Sequence, residues 1–340
     1  MGSGLTAAQL KLTISISTQN FNKEKIMRPN KVLWSVLSWL TLAALVLAGC
    51  APAATQAPKP EIKLAANAWD GSRVNVAVAK ILLEREMGYT VSIVDIDENA
   101  QFPALASGDL SATLEIWPSG HAKDYDEYVK TGKLEDLGPL GVVGKISWYI
   151  PKYMVDQDPT LATWEGIKAN AALFQTAETG DKGQFIGGDP SFVQYDETII
   201  KNLDMNLQVV FAGSEQAILS ALDAAYGRQE PILFYFWTPH AIHAKYDLVP
   251  VALPEYSEAC YADPAAIACD YPPDVLYKAG WAGLKDAAPQ AYQFLKNMNY
   301  TTADQIFMLD QIASQGKSVE EAAQAWVDAN QSVWEKWIVK

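Results

Sequence analysis

Trp117 and Trp237 each close an apolar run that meets a Pro within two residues, in Leu114-Glu115-Ile116-Trp117-Pro118 and Phe234-Tyr235-Phe236-Trp237-Thr238-Pro239. Each run leads into a His-bearing stretch, from His121 in the first and His240 in the second, and each has a similar feeder before it, residues 104–109 and 219–224. Trp69 follows the apolar run Ile62–Asn67 by two residues, and Phe192 and Tyr195 follow the turn Gly187-Gly188-Asp189-Pro190. Rings at the carboxyl ends of strands lie where open α/β sheets place ligand contacts. Their faces attract a cation by roughly 0.5–2 kcal/mol each. They also favour a quaternary ammonium, which has no N–H to leave unpaired, over a primary amine.

Polar groups beside these rings extend the chemistry. Gly71-Ser72-Arg73, Ser119-Gly120-His121 and Ser191-Phe192-Val193 each open an expected helix, whose first N–H groups are free to bind an anion such as a ligand carboxylate. Glu115 lies two residues before Trp117, so on a strand both point to one face. It is the polar residue expected to reach a ligand or to steady a ring. Asp70 and Asp189 are expected to cap helices; if two of Asp70, Glu115 and Asp189 faced inward, a net cation such as choline would be preferred.

Catalytic motifs are absent: the chain has no Gly-x-Ser-x-Gly elbow, phosphate loop, dinucleotide fingerprint or His-Glu-x-x-His. Of its three His, His240 and His243 are three apart but have no evident third ligand, so neither a metal nor a cofactor is expected. A competing reading makes Glu115 and Asp189 the carboxylate pair of a surface glycosidase, or takes the rings as sugar-stacking platforms. A third keeps the fold and exchanges the ligand for an amino acid or polyamine. Trp148, Trp164, Trp326, Trp334 and Trp337 are expected to pack.

The elements that must position these groups alternate strand and helix, as in an α/β sheet. Strands are expected at 62–67, 90–95, up to Trp117, around 185–188, at 208–211 and at 232–237. Helices are expected at 74–87, 102–107, 121–130, 193–202 and 215–226. The extended stretches 142–151 and 249–253 are suited to carry the chain out of one lobe and back. The last 65 or so residues read as helical, ending in a helix from Val319 to Trp337.

Arg28 and Lys31 precede an apolar segment, Val32–Leu47, that ends in Leu47-Ala48-Gly49-Cys50, the layout of a secretory signal with a lipobox-like end. Residues 1–50 are therefore expected to be signal with an upstream extension, Cys50 the lipidated residue and residues 51–60 a tether. The expected location is extracytoplasmic, as a membrane-anchored lipoprotein of a bacterial cell envelope. Setting aside the five Lys/Arg and one Glu of residues 1–49, 21 basic residues face 39 acidic ones, which argues against nucleic acid as a partner. Cys260 and Cys269, eight residues between them, are expected to form a disulfide in an oxidising compartment.

Residues 109–124, Gly187 to Asp196 and the Phe234-Tyr235-Phe236-Trp237-Thr238-Pro239 run resemble the glycine betaine/proline betaine-binding proteins of bacterial ABC importers, and the similarity extends over most of residues 61–338. The resemblance implies a periplasmic-binding-protein-like type II α/β fold, with two discontinuous lobes around a hinge and cleft, 61–147 plus 253–340 and 148–252. It also implies a monomeric, non-enzymatic receptor delivering its ligand to a membrane permease with a cytoplasmic ATPase. Trp117 and Trp237 match two rings of the family's aromatic box. Phe192 stands where a Trp often follows the Gly-x-Asn/Asp-Pro turn, and the N–H groups around Val193 and Gln194 match the family's carboxylate clamp. Trp69, Gly71, Ser72, His121 and Tyr195 complete the expected site.

Overall fold

A computed structural model describes residues 58–339; the expected signal segment, Cys50 and residues 51–57 of the expected tether lie outside them. Nine strands form one mixed sheet: β1 Ile62–Ala66, β2 Val91–Asp95, β3 Ala112–Ile116, β4 Leu134–Pro151, β5 Gly183–Gly187, β6 Leu207–Phe211, β7 Phe234–Thr238, β8 Leu248–Pro250 and β9 Pro273–Trp281. Their order is β2-β1-β3-β9-β4-β7-β5-β6, with β8 beside β4. The helices that matter below are α1 Asp70–Arg85, α2 Glu98–Ser107, α3 Pro118–Lys130, α4 Asp196–Asn202, α5 Glu215–Arg228, α6 Pro289–Asn297, α7 Thr302–Gln315 and α8 Val319–Ala329.

The sheet has a parallel set at each end. β1 pairs in parallel with β2 and β3, and β5 with β6 and β7. Four of the five residues of β1 are buried, consistent with a parallel strand covered on both faces. Between the sets run two antiparallel strands. The first part of β4, Leu134–Lys145, pairs with β9; from Lys145 to Tyr149 it pairs with β7, and its last residues pair with β8. One 18-residue strand thus carries the chain from one half of the sheet to the other, near where the extended stretch 142–151 anticipates a crossing.

Two expectations at the C-terminal end fail. Residues 273–281, within the stretch read as helical, form β9. Its buried face carries Asp274, Leu276 and Lys278 while Val275 is exposed, so polarity runs opposite to burial and conceals the alternation. Lys278 is held there by donating to the carbonyls of Leu295, Lys296 and Met298, at the end of α6. The final helix is also interrupted, α8 ending at Ala329 before a short turn of helix at Gln331–Trp334.

Capping boxes at Thr301 and Ser318 open α7 and α8. Trp148, Trp326, Trp334 and Trp337 are buried, the rings of Trp326 and Trp337 stacked at 5.8 Å. Trp148 donates its Nε1–H to Asp196 Oδ1 at 2.6 Å. Cys260 and Cys269 are disulfide-bonded, and Asn202 at the end of α4 donates to the Ala265 and Ile267 carbonyls of that loop. Among the described residues no helix is long and apolar enough to cross a membrane.

Candidate ligand-binding site

The two parallel sets meet around a void of about 380 Å³, its open mouth included, at the lower end of the size range of small-molecule sites. Trp69, Trp117, His121, Phe192, Val193 and Trp237 line it. Phe192 meets Trp69 edge to face at 5.4 Å and Trp237 at 6.0 Å. Trp237 is backed by Phe236, stacked at 4.3 Å. Phe192 therefore stands as a wall between two Trp that come from opposite ends of the sheet.

Local structure explains why these rings face the void. Trp69 and Trp117 are the N-cap residues of α1 and α3, each extended just past a strand, so the ring leaves the sheet at its carboxyl edge. Trp117 lies flat against the crossing strand because residue 144 is Gly: a Cβ there would fall 2.3 Å from the ring. The first turn of α3 is tied to β9 by Asp274, whose carboxylate accepts the Ser119 N–H at 2.7 Å and its hydroxyl at 2.6 Å. Burial pushes the Asp274 carboxyl up to about 6. Gly120 permits the close approach of Val193, whose side chain would lie 2.8 Å from a Cβ at 120.

Glu115 lies behind the rings. Its Oε1 accepts the indole N–H of Trp69 at 2.6 Å and of Trp117 at 3.0 Å, and its Oε2 accepts from Asn75 at 2.5 Å and Gln305 at 3.1 Å. Burial pushes its carboxyl above the usual range, against these four donors. With both oxygens occupied, Glu115 orients two walls of the box. Of the two alternatives the sequence leaves open, it is the one that steadies the rings.

Four other expected residues also act around the void rather than on it. Ser72 Oγ accepts the Asn67 N–H at 3.0 Å, and the Gly71 carbonyl accepts from Gln305 Nε2 at 3.4 Å. Gln194 pins the 187–190 turn, accepting from Gly188 N and donating to the Asp189 carbonyl. The Tyr195 N–H donates to Tyr271 Oη at 2.7 Å, and its ring stacks on Tyr271. Asp189 Oδ1 accepts from Ser191 N, closing a turn and not capping a helix as expected, because α4 opens only at Asp196. The expected carboxylate pair of Glu115 and Asp189 does not flank the void, and the glycosidase alternative is not supported. His240 pairs with Glu215 and His243 with the Trp237 carbonyl.

The lining residues that sequence reasoning missed are Glu98, Ile146 and Tyr235; Ser119 and Gly120 were expected only as backbone at a helix start. Glu98 matters most. It opens α2, 6% exposed, and its Oε1 accepts the Val193 N–H from across the void. Its Oε2 lies 3.2 Å from His121 Nε2. His121 is 1% exposed, and neither of its ring nitrogens has a well-aligned hydrogen-bond partner among the described residues. Glu98 lies four residues before the helix expected at 102–107; the observed helix begins at Glu98 itself, where an acid is ordinary first-turn charge.

Comparison with known proteins places this arrangement. The trimethylamine N-oxide-binding protein of Pelagibacter ubique (strain HTCC1062) is 27% identical over 317 residues, 89% of this chain and 98% of that protein. Lactococcal OpuAC, in its closed conformation with glycine betaine, superposes with a TM-score of 0.66 at 23% identity over 83% of this chain and 100% of that one. A choline-binding ABC-transporter protein in complex with choline gives 0.67 at 18% identity, over 82% and 91%. The fold is that of the type II periplasmic-binding proteins. Residues 60–329 match the substrate binding domain of the ABC-type glycine betaine transport system, and the chain belongs to that family.

Proposed function

We propose that this protein is the extracytoplasmic receptor of an ABC importer for a small methylated ammonium or amine-oxide compound that carries no carboxylate, of the choline or trimethylamine N-oxide kind. The observation that carries this reading is Glu98. The Val193 N–H, where the family resemblance puts the clamp for a betaine carboxylate, is already taken by the Glu98 carboxylate. A betaine would bring a second anion to the same donor. A trimethylammonium head fits between Trp69, Trp117, Phe192 and Trp237; a choline hydroxyl would donate to Glu98, whereas an N-oxide oxygen, which only accepts, would turn to the His121 ring. The curated relative that spans nearly the whole chain is a trimethylamine N-oxide-binding protein, and a choline complex shares the fold; both support the reading.

In this reading the receptor has no catalysis of its own and acts as a monomer. It is tethered through lipid on Cys50 and delivers its ligand to a permease driven by a cytoplasmic ATPase. Its lobes are 61–147 plus 253–340 and 148–252, and the disulfide loop of the first packs on α4 of the second through Asn202. Titration of the purified chain with choline, trimethylamine N-oxide, glycine betaine, proline betaine and carnitine, followed by Trp fluorescence and calorimetry, tests it. Saturable binding to choline or trimethylamine N-oxide, at least about 100-fold tighter than to glycine betaine, is expected. Preference for the carboxylated ligands, or no binding to any of the five, overturns it.

A further inference from the structure

A second set of polar contacts joins the two halves of the sheet outside the void. Glu215, the first residue of α5, is 2% exposed and His240, just past β7, is 7% exposed; neither lines the void. Ile242 N donates to His240 Nδ1 at 3.2 Å. The ring proton is therefore on Nε2, which donates to Glu215 Oε1 at 2.7 Å. Glu215 Oε2 then accepts the backbone N–H of Asp70 at 3.0 Å. Asp70 opens α1, directly after Trp69, so a carboxylate from the half that bears Trp237 grips the start of the helix that presents Trp69.

We propose that Glu215, oriented by His240, is the latch that holds the two halves closed and fixes Trp69 against Phe192 and Trp237, the residues acting as positioning groups; this rests on the aromatic void being the ligand site. A carboxylate on the first N–H of a 16-residue helix gains from both a charge-assisted hydrogen bond and the helix dipole. The contact spans residues 145 apart in sequence and exists only while the halves are together. The Asp70 side chain works against it: burial, and then the charge of Glu215, push its carboxyl up to about 6. The backbone N–H is what the latch holds.

That distinction supplies the test. Asp70 occupies the first helical position, where Pro is well tolerated. Trp69 before it has φ −128° and ψ 153°, the extended conformation that precedes Pro. Asp70→Pro therefore deletes the N–H while leaving the helix start intact, and Asp70→Ala removes the same carboxylate but keeps the N–H. In stopped-flow fluorescence, choline and trimethylamine N-oxide should leave Asp70→Pro about tenfold or more faster than Asp70→Ala. Association rates and ligand-free melting temperatures should be alike in the two variants. Glu215→Gln, which keeps an acceptor oxygen without the charge, should fall between them.

Equal dissociation rates for the Pro and Ala variants overturn the latch even if the wild type binds tightly. If the wild type binds neither probe, the functional reading fails and the latch is judged without ligand. Nitroxide labels at Lys123→Cys and Glu178→Cys, both exposed positions on opposite halves, report their separation by pulsed electron resonance. A shift to longer distance in Asp70→Pro relative to Asp70→Ala supports the latch, and coincident distributions overturn it.

Discussion

In the proposed reading Glu98 keeps betaines out, and replacing it by Ala should let them bind. In the wild type, a ligand carboxylate reaching for the Val193 N–H meets the Glu98 carboxylate already bonded there. Two unit charges about 4 Å apart at an effective dielectric of about 20 repel by roughly 4 kcal/mol. The N–H that the betaine cannot use forfeits a further bond worth about 1.5–3 kcal/mol. Relaxation and residual water reduce the sum, so a change of about 10²–10³ in the ratio of glycine betaine to choline affinity is the expected outcome. Choline should weaken by about tenfold, because the carboxylate that accepts its hydroxyl and faces its ammonium is gone; trimethylamine N-oxide, whose oxygen only accepts, should weaken less.

Calorimetric titration of wild type, Glu98→Ala and Glu98→Gln with the three ligands measures this directly. The Gln variant separates charge from occupancy: it removes the repulsion but still fills the clamp, so its betaine affinity should rise less than that of the Ala variant. Glu98 lies in the first turn of α2, and its loss costs about 0.3–1 kcal/mol at the helix start and about 1–3 kcal/mol for the unpaired Val193 N–H, so melting temperatures accompany the titrations. A betaine-to-choline ratio unchanged within about threefold in Glu98→Ala would refute the argument, since the clamp would then not be what Glu98 controls.

Trp117→Ala and Trp237→Ala should each weaken binding of whichever ligand the wild type takes by about 1–3 kcal/mol, the cation–π and packing loss, as read by titration; wild-type affinity in both would place the box elsewhere. Gly144→Ala should have a comparable effect without touching a ring, because its Cβ would force Trp117 off β4; loss of affinity with an unchanged far-ultraviolet spectrum is expected. Asp196 is fully buried, and burial pushes it up to about 7 even though Trp148 and Tyr271 donate to Oδ1. Between its ordinary range near 4 and pH 7 the folded state holds the proton more tightly than the unfolded state, so this group's contribution to stability falls as pH rises through that window. Denaturant unfolding at pH 4.5 and 8 should show Asp196→Asn gaining on wild type by roughly 2–4 kcal/mol at the higher pH; a pH-independent difference would contradict it.

Strand-to-helix alternation and the positions of the aromatic rings are local properties, and the sequence carried them. An apolar run ending in Trp and Pro before a helical stretch places the ring at the carboxyl edge of a sheet whatever the rest of the chain does, which is why Trp69, Trp117 and Trp237 were legible. Phe192 and Val193 were legible through the Gly-rich turn before them. The strand β9 was not, because the residues it buries, Asp274 and Lys278, are polar and are satisfied by partners at Ser119 and at the end of α6, distant in sequence. Burial set by remote hydrogen bonds leaves no periodic trace.

The same reason governs the site. Sequence determined which rings were available and, through i,i+2 spacing, that Glu115 shares a face with Trp117. Tertiary structure decided that Glu115 stands outside the lining of the void, tied up by four donors from three separate elements. It also decided that Glu98, an unremarked first-turn acid, crosses the void to Val193, 95 positions on. A carboxylate's role depends on which donors reach it, and donors that arrive from across a fold are fixed only when the chain has closed on itself.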